Sequence, residues 1–403
     1  MVQSPEPHPR VAVLSAVRTP IGKFGGALKL LPATTLGTLV VREALDRAAV
    51  RPEEVESVLF GQGIQAGAGQ NPARQVLRGA SIPDAVGAAT VNMVCGSGMK
   101  ALHWGSLAVR SGECSIAVVG GMESMSGAPY LLMPEARRGL GYGPQSLEDA
   151  VQHDALRDAY GEHELMGLTG ERIAQKFHLT RTDLDRFALR SNERAVAAHR
   201  DGSFASEIVP VPAGIAPGSP ALDHDEGPRP TTSLERLGGL RPVFRPDGLL
   251  TAGNSSQLSD GAAALVLASE SEVERRGARP LAWIHSWAES GVHPSEVMEA
   301  PIPTIRKHLS RFGWTIDRFD RVEHNEAFSS ASLAVQRTFD LPDDRFNVHG
   351  GAVALGHPIG ASGARIVVSL IHELIHAHGR YGLATLCMGG GNGLTTAIDR
   401  TGL

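Results

Sequence analysis

Apolar residues recur along the chain with two different periods. Val11–Ser15 reads as a first strand, followed by a Gly/Pro-punctuated loop over Arg18–Gly26. From about Thr35 to Ala49, Leu36, Leu39, Val40, Ala44 and Leu45 fall at helical spacing. Val55–Phe60 is the next strand, and strand–helix alternation continues to Ser115–Val119, which ends in Gly120-Gly121. That order predicts a layered α/β domain. Val211–Pro230 carries five Pro and three Gly and predicts a loop. It lies in a region, about 127–257, whose helical segments do not continue the alternation, which predicts an inserted subdomain.

The end of the chain repeats its beginning. Arg42–Gln62 set on Arg306–Glu326 matches Arg42 with Arg306, Leu45 with Leu309, Arg47 with Arg311 and Val58 with Val322. Ser97-Gly98 matches Ser362-Gly363, each at the start of a helix, and Val118–Gly121 resembles Cys387–Gly390, each at the end of a strand. Three matches in the same order predict a duplicated fold with a site between its halves.

Composition narrows the function classes. With 403 residues, the prior of ~150 residues per domain allows two to three domains. A net charge of −5, with 20% charged and 42% hydrophobic residues, is that of a folded globular chain. No basic block points to nucleic acid. Of the 38 cations 33 are Arg, which leaves many guanidinium groups for phosphate. Three widely spaced Cys build no disulfide framework and favour thiol chemistry or burial in a reducing compartment. Met1–Arg10 is polar and Pro-rich, unlike a secretory signal, and the C-terminal Thr-Gly-Leu is no peroxisomal address. The longest apolar run, Ala262–Ala268, falls short of the ~20 residues a membrane span needs. A soluble cytoplasmic protein is expected, with no membrane and no nucleic-acid partner.

Four motifs hold candidate chemistry. Cys95 sits in Asn92-Met-Val-Cys-Gly-Ser-Gly98, at a tight turn into a helix that runs to about Arg110 with Met99, Leu102 and Leu107 inward. A Cys at a helix N-terminus meets unpaired N–H groups that lower its pKa and can also receive an oxyanion. Burial as a small hydrophobe is the plain alternative. His357, within the small-residue stretch Gly350–Gly363, is a candidate base for a thiol or a structural His. Cys387 ends an apolar strand in a Gly-rich turn and is either a second thiol acid/base or a core residue. Cys114 has no activating context and is expected to be structural. His372-Glu-Leu-Ile-His376 matches a zinc-protease pattern, but no third ligand is evident. On a helix whose apolar face is Val367, Leu370, Ile371 and Leu374, the pair and Glu373 are expected on a solvated face.

Together the motifs resemble the thiolase family nearly end to end. They are Arg18–Gly25, the Cys95 loop, Gly120–Met125, Thr251–Asn254, Ser259–Ala262, Asn325–Phe328, Gly356–Gly363 and Cys387–Gly391. The resemblance implies two duplicated halves stacked as five α-β-α-β-α layers, with a loop domain inserted in the first. Expected boundaries are 1–126 plus 258–280, 127–257, and 281–403. It implies ping-pong acyl transfer between CoA thioesters, with His357 as base, Cys95 as acyl-carrying nucleophile and Cys387 as the acid/base at Cα. One oxyanion hole would be His357 with a water held by Asn325, the other the N–H groups of Cys95 and Gly389. Ser256, Arg229, Met166 and Phe328 match positions that contact CoA. CoA is the substrate, and no other cofactor or metal is expected.

Within the family, Gly121–Leu132 and Asp158-Ala-Tyr160 look like the biosynthetic type that makes acetoacetyl-CoA. Asn254-Ser-Ser-Gln257 looks more like the degradative 3-ketoacyl-CoA type. Leu165 stands where His is usual, His324 for Ala, His349 for Asn, and Val297-Met298-Glu299 for Met-Gly-Thr. Either His could shift the pKa of the site. Condensation of two acetyl-CoA is the first expectation and a longer-chain thiolase the alternative; a zinc peptidase and a non-catalytic CoA or lipid carrier are remote rivals. The family's habit implies a homodimer or homotetramer.

Overall fold

The computed structural model describes residues 9–403, so most of the polar N-terminal stretch lies outside the described residues. The first half contains β1 (Val11–Arg18), β2 (Gly22–Lys23), α1 (Ala33–Ala48), β3 (Ser57–Gly61), α2 (Pro72–Gly79), β4 (Gly87–Val91), α3 (Ser97–Ser111) and β5 (Ile116–Ser124). The chain then leaves the sheet for a ribbon of β6 (Tyr130–Leu131) and β7 (Glu148–Asp149), and for helices α4 (Met166–Lys176), α5 (Arg181–Asp201) and α6 (Leu234–Gly238). Val211–Pro230 forms no regular element beyond one bridge, Val211 to Leu222, as its Pro and Gly content predicts. β8 (Ser259–Ser269) and α7 (Glu270–Arg276) close the half.

The second half contains β9 (Ala282–Gly291), α8 (Pro301–Phe312), β10 (Arg321–His324), α9 (Ser329–Thr338), α10 (Ala352–Leu355), α11 (Ile359–His376), β11 (Tyr381–Met388) and β12 (Asn392–Asp399). The strands run β4-β3-β5-β8-β1 and then β9-β12-β11-β10, with β2 against β8. The duplication is visible in the pairing. β3 to β5 is parallel, and β5 to β8 and β8 to β1 are antiparallel. β10 to β11 is parallel, and β11 to β12 and β12 to β9 are antiparallel. The half-sheets meet at a short seam, where Val11, Ala12 and Val13 pair with Ile284, Trp283 and Ala282.

Five layers follow from three apolar cores. Leu36, Val40, Val58 and Phe60 join α1 and α2 to the outer face of the first half-sheet. Met99, Leu102, Val119, Leu265, Ile366, Leu370 and Leu386 hold α3 and α11 between the two half-sheets. Ile302, Ile305, Val322, Val335 and Leu383 place α8 and α9 outside the second. Burying both faces of each half-sheet explains their near-continuous apolar sequences, such as Ala262–Ala268.

The middle layer corrects two expectations. Leu107 is not inward but 56% exposed, because Gly105 faces the sheet where a larger residue would strike Val119. His372 and Glu373 are buried, not solvated, since α11 is covered on both sides. His372 Nε2 bonds the Ala16 carbonyl at 2.9 Å and its Nδ1 pairs with Ser206 Oγ at 3.0 Å. Glu373 lies 3.6 Å from His349, and His376 is exposed. Among the described residues no three His, Cys, Asp or Glu are grouped to hold a metal.

Candidate active site

Two loops meet where α3 and α11 cross. Gly98 lies against Ala364, and Gly363 against Met99, so closely that a side chain at either glycine would collide. The N-termini of both helices therefore converge. Cys95 and His357 each sit two positions before their helix, and the crossing brings His357 Nε2 to 3.2 Å from Cys95 Sγ.

The Cys95 loop is held under strain. Val94, β-branched, adopts φ +48°, a left-handed conformation that costs energy unless neighbours impose it. Asn92 Oδ1 accepts from Val94 N at 3.0 Å, Ser97 Oγ accepts from Met93 N at 2.9 Å, and the same hydroxyl donates to the Val94 carbonyl at 2.6 Å. Asn92 and Ser97 are thus part of the site's framework, and Val94's strain turns the next side chain into the cleft. Nothing in the sequence marks this conformation, because Val is the last residue expected there.

His357 is oriented by Ser362. The Ser362 hydroxyl donates to the Pro358 carbonyl at 2.9 Å, so its oxygen accepts from His357 Nδ1–H at 2.6 Å. That assigns the proton to Nδ1 and leaves the Nε2 lone pair facing the Cys95 thiol. Burial, and secondarily Arg365, lower the imidazole to about 3, so the ring is neutral and able to accept a proton. Asn325 Nδ2 lies 3.4 Å from His357 Nε2, and its Oδ1 has no hydrogen-bond partner.

The thiols do not follow the helix-terminus expectation. Burial pushes the Cys95 thiol well up, and nearby Cys387 adds to it, while the amides of Cys95 itself and Gly389 pull the other way. Cys95 precedes the first turn of α3, and the two amides do not offset the loss of water. The resting pair is therefore a neutral thiol beside a neutral imidazole, with charge separating only as a reaction proceeds. Cys387, at the end of β11, is pushed up to about 12 by burial and touches Met298 Sδ at 3.8 Å. Cys114 is buried in the central core, as expected of a structural Cys.

A cavity of about 50 Å³ contains Cys95, His357, Cys387 and Gly389, with Val297, Met298, Phe328 and Leu156 closing it. A second cavity of about 280 Å³ shares His357, Met166, Ser256 and Phe328 with the first and adds Leu165, Phe244 and Leu258. The inserted region thus walls an apolar approach that ends at two thiols and an imidazole.

The Thiolase, N-terminal domain family model matches residues 11–271, and the Thiolase, C-terminal domain model matches 278–400. The chain belongs to the thiolase family. It is 45% identical to an acetyl-CoA acetyltransferase of Pseudomonas aeruginosa over 391 residues, spanning 97% of this chain and 99% of that protein. It is 43% identical to the cytosolic acetyl-CoA acetyltransferase of Mus musculus, over 97% of this chain and 98% of that one. The crystal structure of the Bacillus anthracis acetyl-CoA acetyltransferase superposes with a TM-score of 0.94 at 40% identity, covering 97% and 99% of the two chains. The Ascaris suum Acat5 thiolase in complex with coenzyme A superposes with a TM-score of 0.91 at 39% identity and the same coverage.

On this thiolase frame the departures find places. Gln257 Nε2 donates to the Ala354 carbonyl at 2.9 Å, and its own carbonyl accepts from His357 N at 2.9 Å, so it braces the His357 loop. Leu165 makes the outer cavity wall apolar where the family's usual His would be polar. His324 and His349 line neither cavity. His324 Nδ1 pairs with Ser332 Oγ at 2.9 Å and its ring stacks on Phe346, while His349 faces Glu373. Neither is among the main causes of the shifts of Cys95, His357 or Cys387. Arg229 is not in the cavity. Its backbone N–H donates to Asn192 Oδ1 at 3.0 Å, and it lines a separate surface hollow with Arg200 and Pro230.

Proposed function

We propose that this protein catalyses the reversible condensation of two acetyl-CoA to acetoacetyl-CoA and CoA, through an acyl-Cys95 intermediate. The observation that carries the reading is the 3.2 Å approach of His357 Nε2 to Cys95 Sγ, in an apolar chamber that also contains Cys387. His357 takes the thiol proton as Cys95 attacks the thioester carbonyl, and returns it to the departing CoA sulfur. The N–H groups of Cys95 and Gly389 receive the oxyanion of that step. Cys387, once its thiol proton has passed to the now neutral His357, removes a Cα proton from a second acetyl-CoA as the thiolate. The carbanion attacks the acyl carbon on Cys95, and the expelled Cys95 thiolate takes up the proton from His357. The enolate oxygen is met by His357 and by a water held on Asn325. Thiolysis is the reverse.

The size of the chamber supports a short acyl group. About 50 Å³ beside Cys95 has room for an acetyl group on its sulfur. Met298 narrows it where the family usually has Gly. Met166, Ser256 and Phe328 line the approach and are assigned to the pantetheine arm, with CoA a substrate and no further cofactor. Arg229 is assigned to the phosphate end on its family position alone. Residues 127–257 serve as the CoA-covering insert between the two halves, 1–126 with 258–280 and 281–403.

A homodimer or homotetramer is supported by the open edge of β4 and by exposed Tyr130, Leu132, Leu140, Tyr142 and Leu147 in the insert. A cytoplasmic location agrees with the name of the mouse relative. Among the described residues no helix is long and apolar enough to cross a membrane.

The test is thiolysis of acetoacetyl-CoA against C6 to C16 3-ketoacyl-CoAs, each with free CoA, following loss of the ketoacyl absorbance. Turnover confined to acetoacetyl-CoA is expected. Faster turnover of longer chains would move the protein to the degradative type, and no turnover would remove the enzymatic reading.

A further inference from the structure

Two family motifs contain a buried carboxylate that the proposed chemistry does not use: Glu123 in Gly120–Met125 and Glu326 in Asn325–Phe328. Both lead to the same short segment. The His357 loop, Gly356–Pro358, is the hinge between the single turn α10 and the long helix α11. A side chain on such a hinge is only as well placed as the two elements that flank it.

Glu123, at the end of β5, is fully buried. Its Oε2 accepts from Gly360 N at 2.9 Å, in the first turn of α11, and from Gly63 N at 2.9 Å, in the loop after β3. Its Oε1 accepts from Ile64 N at 3.3 Å. One carboxylate thus ties the start of α11 to the first half of the molecule, using amides that a helix N-terminus leaves unpaired. Glu326, 1% exposed, does the same on the other side. Its Oε2 accepts from Val353 N at 3.1 Å, inside α10, and from Ser191 Oγ at 2.7 Å, while Oε1 accepts from Asn347 Nδ2 at 2.9 Å. Ser191 Oγ in turn accepts from Gly351 N at 3.1 Å.

We propose that Glu123 and Glu326 are positioning residues for His357, seating α11 and α10 from opposite halves so that Nε2 stays within reach of the Cys95 thiol. Neither lines the two cavities, so neither touches the substrate. Each accepts three N–H or O–H donors, which a Gln cannot do without turning its own NH2 toward one of them. Burial raises Glu123 to about 8 and raises Glu326 as well, while the donors on each pull the other way, so what each carboxyl group supplies is its acceptors, not its shape. The inference rests on the assignment of His357 as the base for Cys95.

The test compares wild type with Glu123→Gln, Glu123→Asp, Glu326→Gln and His357→Ala. It follows kcat and KM for acetoacetyl-CoA thiolysis, the rate of Cys95 alkylation by iodoacetamide from pH 5 to 10, and the thermal midpoint. Displacement by about 1 Å is worth ~100-fold in rate. We expect Glu123→Gln to lose about that factor in kcat with KM within about 3-fold, and the alkylation profile to move toward that of His357→Ala. Glu123→Asp, which keeps both acceptors on a shorter arm, recovers part of the loss. A folded variant with a lowered thermal midpoint but wild-type kcat and alkylation profile would overturn the proposal, because the carboxylate would then be structural only. Should Glu123→Gln not fold, the same readings on Glu123→Asp and Glu326→Gln decide. Full activity in His357→Ala would instead remove the assignment on which the inference rests.

Discussion

The two halves share one strand pattern and differ in how they return to it. In the first, β5 reaches β8 only after 124–259, a long excursion that builds the outer cavity wall. In the second, β11 reaches β12 through Gly389, Gly390 and Gly391, with Gly390 and Gly391 at φ +86°. The long connection supplies an apolar approach; the tight one supplies a backbone amide at Gly389 and follows the strand end that carries Cys387. A duplicated scaffold thus offers two equivalent loop positions, and the chemistry comes from filling them differently. The helix-leading positions diverge in the same way, a thiol before α3 and an imidazole before α11.

The comparison breaks most severely if the nucleophile lies elsewhere. Cys95→Ser is expected to abolish acyl-enzyme formation and to lower kcat by ~10⁴-fold or more, read by mass spectrometry of the protein after acetyl-CoA and by steady-state rates. An acyl group retained on a residue other than 95 would place the nucleophile elsewhere. His357→Ala should cost ~10²–10⁴-fold in kcat, the usual scale of a lost general base. Cys387→Ala separates the halves by step: acylation by acetyl-CoA survives and condensation stops. Normal condensation in that variant would deprive the tight turn of its proposed role.

Smaller effects probe the scaffold. Gly363→Val places branched carbons against Met99 at the helix crossing and is expected to destabilise by about 1–3 kcal/mol, seen in denaturant unfolding. Gly277→Ala, in open space at φ +58°, should cost less through backbone conformation alone. Acid should weaken the layers that meet buried histidines. Burial lowers His308 to about 4 and His324 to about 3, against ~6.5 in the unfolded chain, and holds His103 low as well. Between those values the unfolded chain binds more protons at these histidines, so their contribution is complete above about pH 6.5 and is lost as pH falls toward 4. It is opposed by Glu123 and Glu373, which burial raises to about 8 and which favour the folded state more as pH falls below that value. His308→Gln should flatten that decline; an unchanged slope would assign it to other groups.

Much of this protein is legible in its sequence. Local periodicity marked α1, β3 and the loop over Val211–Pro230, and the repeated Ser-Gly pairs marked what proved to be the helix crossing. Motif chemistry singled out Cys95, His357 and Cys387, because small residues around a nucleophile or base signal close backbone approach. Other features were decided only by tertiary packing. His372 and Glu373 read as a solvated face because polarity on one side of a helix usually means water. In the middle layer it means other buried polar groups, and no single helix encodes what will cover it. Leu107 and Cys95 misled for related reasons: the outward turn of Leu107 depends on how close Val119 comes, and the raised thiol of Cys95 depends on loss of water in the folded cleft. The strain at Val94 and the seating of His357 by Glu123 and Glu326 join residues far apart in the chain. Short-range pattern determines which elements form and which side chains can react; distances, desolvation and hydrogen-bond partners exist only once the two halves have closed on each other.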